Sequence, residues 1–112
     1  MKAINIQVQP HLAPGVDIEA VRALMDRIAT ANPLVETLQY DDGHEGEYYL
    51  NITFWTPDLE ALWKTIRERV YGDETIGTLI GASSIAVCEG AHGWDDYLLL
   101  HHFDSEERCD AL

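Results

Sequence analysis

Two hydrophobic periodicities alternate along the chain, and their order restricts the fold more than any other feature of the sequence. Segments typical of strands, most of them with apolar residues at every second position, cover residues 3–9, 34–40, 47–55, 83–89 and 95–103. Segments typical of amphipathic helices, with apolar residues at every third or fourth position, cover residues 17–31 and 58–71. This order of strands and helices predicts a single α+β domain.

The first six elements of this order are those of the ferredoxin-like βαββαβ sandwich, and the seventh is an added C-terminal strand. In that architecture, two helices cover one face of an antiparallel sheet and leave the other face open. We expect the domain to span residues 1–103 and an acidic C-terminal tail, residues 104–112, to fray. The polar residues predicted for the open face are Asn5, Gln7, Gln9, Thr37, Gln39, Tyr49, Asn51 and Thr53.

Local signals predict where several elements begin and end. Asp17 is the expected N-cap of the first helix, and Thr56, followed by Pro57, is the expected N-cap of the second. Residues 41–46 are rich in Asp and Gly and predict a turn between the second and third strands. Residues 73–82 contain two glycines and predict a loop with one helical turn.

The fifth predicted strand differs from the others because both of its faces are apolar. With regular alternation, one face carries Tyr97, Leu99, His101 and Phe103, and the other carries Leu98, Leu100 and His102. A strand that is apolar on both sides is normally covered on both sides. The tail, residues 73–82 or a second copy of the chain would each provide that cover. We expect a twofold homodimer whose interface is Tyr97, Leu99, His101 and Phe103.

The charge of the chain is strongly negative and unevenly distributed. Twenty Asp and Glu residues against seven Lys and Arg residues give a net charge of −13. The two predicted helices hold six of the acids and five of the bases, so the acidic excess lies in the strands, turns and tail. Such a field repels phosphate groups, and we expect the protein to bind neither nucleic acid nor anionic membranes.

Solvated turns explain part of this acidic excess, and a surface that binds a basic protein explains it as well. The residues expected to form that partner-binding surface are Asp41, Asp42, Glu45, Glu47, Tyr49 and Trp55. Aromatic residues on an open sheet also stack nucleobases in RNA-binding modules, but those modules need basic residues, of which these strands carry almost none.

Candidates for catalysis lie near the last predicted hairpin, and no known catalytic pattern connects them. They are His101, His102, Asp95, Asp96 and Cys88. A histidine oriented by a carboxylate can act as a general base. The sequence places no nucleophile in a recognised motif, however, and Cys88 has no basic neighbour in sequence to activate its thiol.

Two sets of residues resemble metal ligands in composition only. The acidic residues 41–47 have neither the length nor the spacing of an EF-hand loop. The other set is Cys88, His92, His101 and His102. Because adjacent histidines of a strand point to opposite faces, this set does not predict a closed zinc site. We therefore expect no metal and no cofactor.

Three functional hypotheses follow from these observations. The preferred one is a non-enzymatic protein-binding module, similar to an inhibitor or an immunity protein, with an acidic surface for a basic partner. The alternatives are a small enzyme or small-molecule sensor with a site near the C-terminal hairpin, and a structural homodimer subunit. The N-terminal residues alternate instead of forming the apolar run of a signal peptide, and we expect Cys88 and Cys109 to be free thiols, so we expect a cytoplasmic location.

Overall fold

The chain folds into five strands and three α-helices, and the computed structural model describes all residues from 1 to 112. The strands are β1 (Lys2–Val8), β2 (Thr37–Glu45), β3 (Glu47–Thr56), β4 (Ser84–Gly90) and β5 (Gly93–His101). The helices are α1 (Ile18–Ala31), α2 (Leu59–Ile66), which continues as a π-helical turn (Arg67–Tyr71), and α3 (Gly77–Gly81). None of the helices combines the length and the hydropathy needed to cross a membrane.

One antiparallel sheet contains all five strands in the order β2-β3-β1-β4-β5. The middle strand, β1, pairs with β3 on one side and with β4 on the other. The edge strands are β2 and β5, each joined to its neighbour by a hairpin. The predicted α+β architecture is therefore confirmed.

The core lies between one face of this sheet and the helices α1 and α2. The residues that β1 and β3 contribute to the core alternate along each strand, and they are Ile4, Ile6, Val8, Leu50, Ile52 and Phe54. Its helical residues are Val21, Leu24, Met25 and Ile28 of α1 and Leu62, Trp63 and Ile66 of α2. Because both helices contribute to one continuous core, both cover the same face of the sheet, and the opposite face is open.

Helix α1 begins as predicted, whereas α2 begins later than predicted. The carboxylate of Asp17 caps α1 by accepting the backbone N–H of Glu19 at 3.0 Å. The N-cap of α2 is Asp58, whose carboxylate accepts the N–H of Ala61 at 3.1 Å. The prediction of Thr56 as this cap is wrong because Thr56 is the buried last residue of β3, and its hydroxyl accepts the N–H of Asp58 instead.

The turn predicted at residues 41–46 is mostly strand. Pairing between β2 and β3 continues without interruption to Glu45 and Glu47, and only Gly46, with φ of +84°, turns the chain. Gly43 lies opposite Tyr49, whose ring covers it: a Cβ atom at Gly43 would lie 2.5 Å from Tyr49 Oη. An aromatic residue that covers a glycine on the neighbouring strand compensates for the missing side chain, so the strand pairing continues through Gly43.

Strand β5 contains a β-bulge that reverses the predicted alternation. Val87 pairs with Leu99, but Ala86 pairs with His101, so Leu100 is an extra residue in β5. Leu100 is buried in the core, and the imidazole of His101 also lies on the helical side. The prediction that Tyr97, Leu99, His101 and Phe103 share one face is therefore wrong.

The C-terminal tail returns to the outer edge of β5 instead of fraying. The backbone N–H of Asp110 donates to the Leu99 carbonyl at 2.7 Å, and the Asp110 carboxylate accepts the Leu99 N–H at 2.8 Å. Both outward-pointing backbone groups of Leu99 are thus satisfied. Since an unpaired strand edge invites pairing with other chains, this contact protects one point of the β5 edge.

Candidate interaction site

The open face of the sheet consists of a polar half and an apolar half. The polar half, on β1, β2 and β3, contains Asn5, Gln7, Thr37, Gln39, Asn51 and Thr53, as predicted. The apolar half, on β4 and β5, contains Ile85, Val87, Tyr97 and Leu99. The two halves meet where β1 pairs with β4, and they offer different chemistry to a partner.

The polar half is held together by side-chain hydrogen bonds between neighbouring strands. Asn5 Nδ2 donates to Thr53 Oγ1 at 2.9 Å, and Gln7 Nε2 donates to Asn51 Oδ1 at 3.1 Å. Gln9 Nε2 in turn donates to Gln7 Oε1 at 3.0 Å. Because these groups already satisfy one another, a partner gains little by bonding to them.

An acidic hairpin end extends this polar half beyond the core; it consists of Asp41, Asp42, Glu45 and Glu47. Asp41, Glu45 and Glu47 lie on the open face, whereas Asp42 points to the other side, where its carboxylate accepts the Tyr48 hydroxyl at 3.1 Å. Glu45 and Glu47 are directly opposite each other, an arrangement of like charges that is destabilising. No Lys or Arg forms an ion pair with any of the four, so their charge is uncompensated.

The two aromatic residues predicted for the partner-binding surface have structural contacts in addition to partial exposure. The ring of Tyr49 covers Gly43. Trp55 Nε1 donates to Gln39 Oε1 at 3.2 Å, which satisfies the only polar group of the indole. Both side chains are half-buried, so they contribute less free surface than the sequence suggests.

The apolar half forms a shallow groove of about 530 Å³, the β4–β5 groove. Its lining consists of Ile85, Val87, Trp94, Tyr97, Leu99, His102 and Glu107. Trp94 is 45% exposed and Tyr97 is 57% exposed, so two large aromatic side chains face solvent here. Tyr97 and Leu99 were predicted to share a face of β5, whereas Trp94 precedes the predicted strand and was not predicted to contribute. The apolar character of both faces of β5 was the sequence signal for this groove.

No Lys or Arg lines the groove, and two carboxylates lie in or beside it. Glu107 lies in its wall, and Glu89 lies on the open face two residues beyond Val87. None of the residues at open-face strand positions is Lys or Arg, from the acidic hairpin end across to β5. Five of the seven basic residues belong to α1, α2 and its π-helical turn. The charged side chains at open-face strand positions are therefore all acidic, and uncharged Asn, Gln and Thr side chains separate those of the hairpin end from the apolar half.

Among the catalytic candidates, His101 is part of an internal aromatic cluster. Its Nε2–H donates to the Gly81 carbonyl at 2.8 Å, and its ring stacks on Tyr71 with 4.3 Å between ring centroids. Tyr71 Oη in turn shares a hydrogen bond of 2.9 Å with Ser84 Oγ. Burial lowers the pKa of His101 below its ordinary value, and burial raises the pKa of Tyr71. Both rings are thus neutral packing elements between α3 and the sheet.

The other catalytic candidates lie apart from His101 and do not converge on one point. His92 is 86% exposed, and its Nδ1–H donates to the Asp96 carboxylate at 3.1 Å. The same carboxylate also accepts the His92 backbone N–H, so Asp96 closes the β4–β5 turn. Cys88 is buried in the core, where burial raises the pKa of its thiol. Asp95 is exposed without a hydrogen-bond partner, and His102 lines the β4–β5 groove.

The geometry of the open face suits binding through shape and charge. No three His, Cys, Asp or Glu side chains lie close enough together to hold a metal ion. Phe103, predicted for a dimer interface, lies beyond the end of β5 with its ring 4.4 Å from that of His102.

No protein-family model matches this chain, and neither a curated protein nor a solved structure matches it.

Proposed function

We propose that this protein is a non-enzymatic protein-binding module, similar to an inhibitor or an immunity protein, whose open sheet face binds a basic partner. The observation that supports this proposal most is the composition of that face. Its strand positions include Asp41, Glu45, Glu47 and Glu89 but no Lys or Arg. A surface of one sign attracts a partner of the opposite sign and raises the rate of association.

We also propose the ferredoxin-like topology for the fold. The order of the first six main elements and the position of β1 between β3 and β4 support it. This fold hosts many unrelated functions, so the functional proposal depends on the surface chemistry and not on the topology. The cytoplasmic location stays a prediction from the sequence.

The alternative of a small enzyme or sensor near the C-terminal hairpin has less support. His101 is half-buried and already bonded to Gly81, and Cys88 is buried with a raised thiol pKa. A general base or nucleophile must reach its substrate in the required protonation state. The exposed residues His92 and Asp96 lie on a turn, and neither lines the β4–β5 groove.

A second copy of the chain is the other candidate for the open face. The 57% exposure of Tyr97 favours it, because burying an exposed aromatic residue stabilises association. The charge opposes it, since a twofold contact through this face would bring two uncompensated acidic surfaces together. Light scattering tests this candidate directly: a mass near twice 12.6 kDa at low protein concentration supports the homodimer.

The test of the proposed function is capture from the native lysate on immobilised protein, at low and at high salt. We expect a partner with a net positive charge whose retention falls steeply between about 0.05 M and about 0.5 M salt, because salt screens exposed charges. The variant Asp41→Asn/Glu45→Gln/Glu47→Gln removes three acids of the acidic hairpin end and should lose most of the captured partner.

The matched control is Glu19→Gln/Glu60→Gln/Glu68→Gln, which changes the net charge equally but at exposed positions of the helical layer. This control should retain the partner as well as the unmodified protein does. Equal loss in both variants would show that only net charge matters, and no salt-sensitive basic partner at low salt would reject the proposal.

A further inference from the structure

The acidic hairpin end and the β4–β5 groove occupy opposite ends of the open face, separated by the self-bonded polar half. Hydrogen bonds among Asn5, Thr53, Gln7 and Asn51 already use the polar groups between them. A partner that covers the face therefore meets exposed charge at one end and exposed apolar surface at the other. These two surfaces affect binding through different physical mechanisms.

From this separation we infer that the β4–β5 groove holds a bulky apolar side chain of the partner, one that is flanked in the partner's sequence by Lys or Arg. The inference rests on the proposed function and assigns different kinetic roles to two parts of the same face. The groove slows dissociation, and the acidic hairpin end accelerates association.

The lining of the groove supports the apolar part of this inference. Tryptophan and tyrosine dominate binding energy at protein interfaces, and Trp94 and Tyr97 are the two aromatic side chains of the open face that face solvent most fully. Val87 and Leu99 form the floor as a cross-strand pair. A groove of about 530 Å³ lies within the size range of ligand pockets, although it is shallow, and suits side chains rather than a separate small molecule.

The charge around the groove specifies what flanks that apolar side chain. Glu107 is in the wall, Glu89 is on the adjoining surface, and no Lys or Arg lines the groove. His102 Nδ1 accepts the Asp104 N–H at 3.0 Å, so this ring nitrogen is already bonded within the tail. Basic residues beside the inserted side chain would meet these carboxylates, whereas a second copy of this chain would meet them with carboxylates of its own.

The acidic hairpin end and the groove should affect different rate constants because they differ in exposure to solvent. Charges at the rim of an interface act at a distance and change mainly the association rate constant, whereas a desolvated apolar contact changes mainly the dissociation rate constant. The acidic hairpin end is exposed and forms no ion pair with Lys or Arg, and the groove is apolar and partly enclosed. The two surfaces should therefore be separable in a kinetic experiment.

The experiment measures binding kinetics of two synthetic peptides on the immobilised full chain by surface plasmon resonance. The first is a short Lys-rich peptide with a central Leu-Phe pair, and the second has Ser-Ser at that pair. The groove variants are Tyr97→Ser and, as a second substitution at an exposed residue, Trp94→Ala. The hairpin variant is Asp41→Asn/Glu45→Gln/Glu47→Gln, and circular dichroism confirms the folding of each.

For the Leu-Phe peptide, we expect each groove variant to raise the dissociation rate constant about tenfold and to leave the association rate constant unchanged. We expect the hairpin variant to lower the association rate constant several-fold, roughly in line with loss of electrostatic steering. The Ser-Ser peptide should dissociate faster from the unmodified protein and should not respond to the groove variants.

Equal dissociation of the two peptides, no effect of either groove variant, or no binding of either peptide would overturn the inference. A homodimer that Tyr97→Ser converts to a monomer would overturn it as well, in favour of a second copy. Each of these results leaves the lysate capture to decide the proposed function separately, because that test depends on the acidic hairpin end and not on the groove.

Discussion

The two edge hairpins of the sheet are built from similar strands but differ in regularity. In the β2–β3 hairpin, every residue from Thr37 to Glu45 has a partner in β3. In the β4–β5 hairpin, the register shifts twice, once at Leu100 and once between Cys88 and Gly90. The regular hairpin places its side chains where alternation predicts, whereas the bulged hairpin turns His101 inward and leaves Trp94 and Tyr97 outside. The groove therefore includes Trp94 beside Tyr97 and Leu99, and it excludes His101.

The largest expected effect comes from substituting Gly90 in the bulged hairpin. A Cβ atom at Gly90 would collide with the backbone carbonyl of Asp96, which cannot move without changing the bulged register. We expect Gly90→Ala to lower the free energy of unfolding by about 2–3 kcal/mol, as overpacking does. Urea denaturation followed by circular dichroism measures this loss.

The matched variant in the regular hairpin is Gly43→Ala. Its Cβ atom would collide with the end of the Tyr49 side chain, which is half-buried and can rotate away. We expect a loss below about 1 kcal/mol, partly offset because Ala restricts the unfolded chain more than Gly does. Equal losses at Gly43 and Gly90 would show that the two hairpins resist crowding equally.

A smaller effect is expected from pH, through the inward-facing His101 of the bulged hairpin. Burial lowers its pKa in the native state, whereas in the unfolded chain it has the ordinary value of about 6.5. As the pH falls below that value, the unfolded chain binds the proton first, so stability contributed by neutral His101 is present above it and is lost toward acid.

The test compares the unmodified protein with His101→Phe, which keeps a ring against Tyr71. Between about pH 7 and about pH 5, we expect the unmodified protein to lose more stability than this variant, measured by urea denaturation at each pH. The control is His44→Gln in the regular hairpin, where the histidine is exposed. Identical pH profiles for the unmodified protein and His101→Phe would show that His101 does not cause the loss of stability toward acid pH.

The contact between the tail and the bulged hairpin should contribute about 1 kcal/mol, since Asp110 is exposed and its hydrogen bonds compete with water. Asp110→Ala should lower stability by that amount and speed hydrogen exchange of the Leu99 amide, which NMR measures residue by residue. In the control Asp104→Ala, only a turn within the tail loses its bond to the Glu106 N–H. Unchanged exchange at Leu99 in Asp110→Ala would rule out the edge contact.

The smallest expected effect is a gain in stability at the acidic hairpin end. Glu47→Lys replaces a pair of opposed like charges with an opposite-charge pair across from Glu45, which should stabilise the protein by about 0.5 kcal/mol. The gain should disappear at about 1 M salt, where charges are screened. Glu107→Lys makes the same change in net charge without a directly opposed acid, so a larger gain at that position would contradict this account.

Much of the polar and acidic part of the candidate site could be predicted from the sequence, and most of the apolar part could not. The open-face positions of Asn5, Gln7, Asn51 and Thr53 follow from alternation within single strands. The groove needs the meeting of Val87, Leu99, Trp94 and Glu107, which come from two strands and the tail. No pattern within a single segment predicts these contacts, because they depend on the register of β4 and β5 and on the return of the tail.

The sequence by itself determined the elements whose stability is local: the alternation of β1, the apolar stripes of α1 and α2, and the cap at Asp17. Each depends on residues within a few positions of one another, so its periodicity is visible in a single segment. The tertiary structure alone decided that Leu100 bulges, that Tyr49 covers Gly43 and that Asp110 closes the edge of β5. These features depend on cross-strand register and on packing between distant segments, where the lowest free energy belongs to the assembled sheet and not to any one strand.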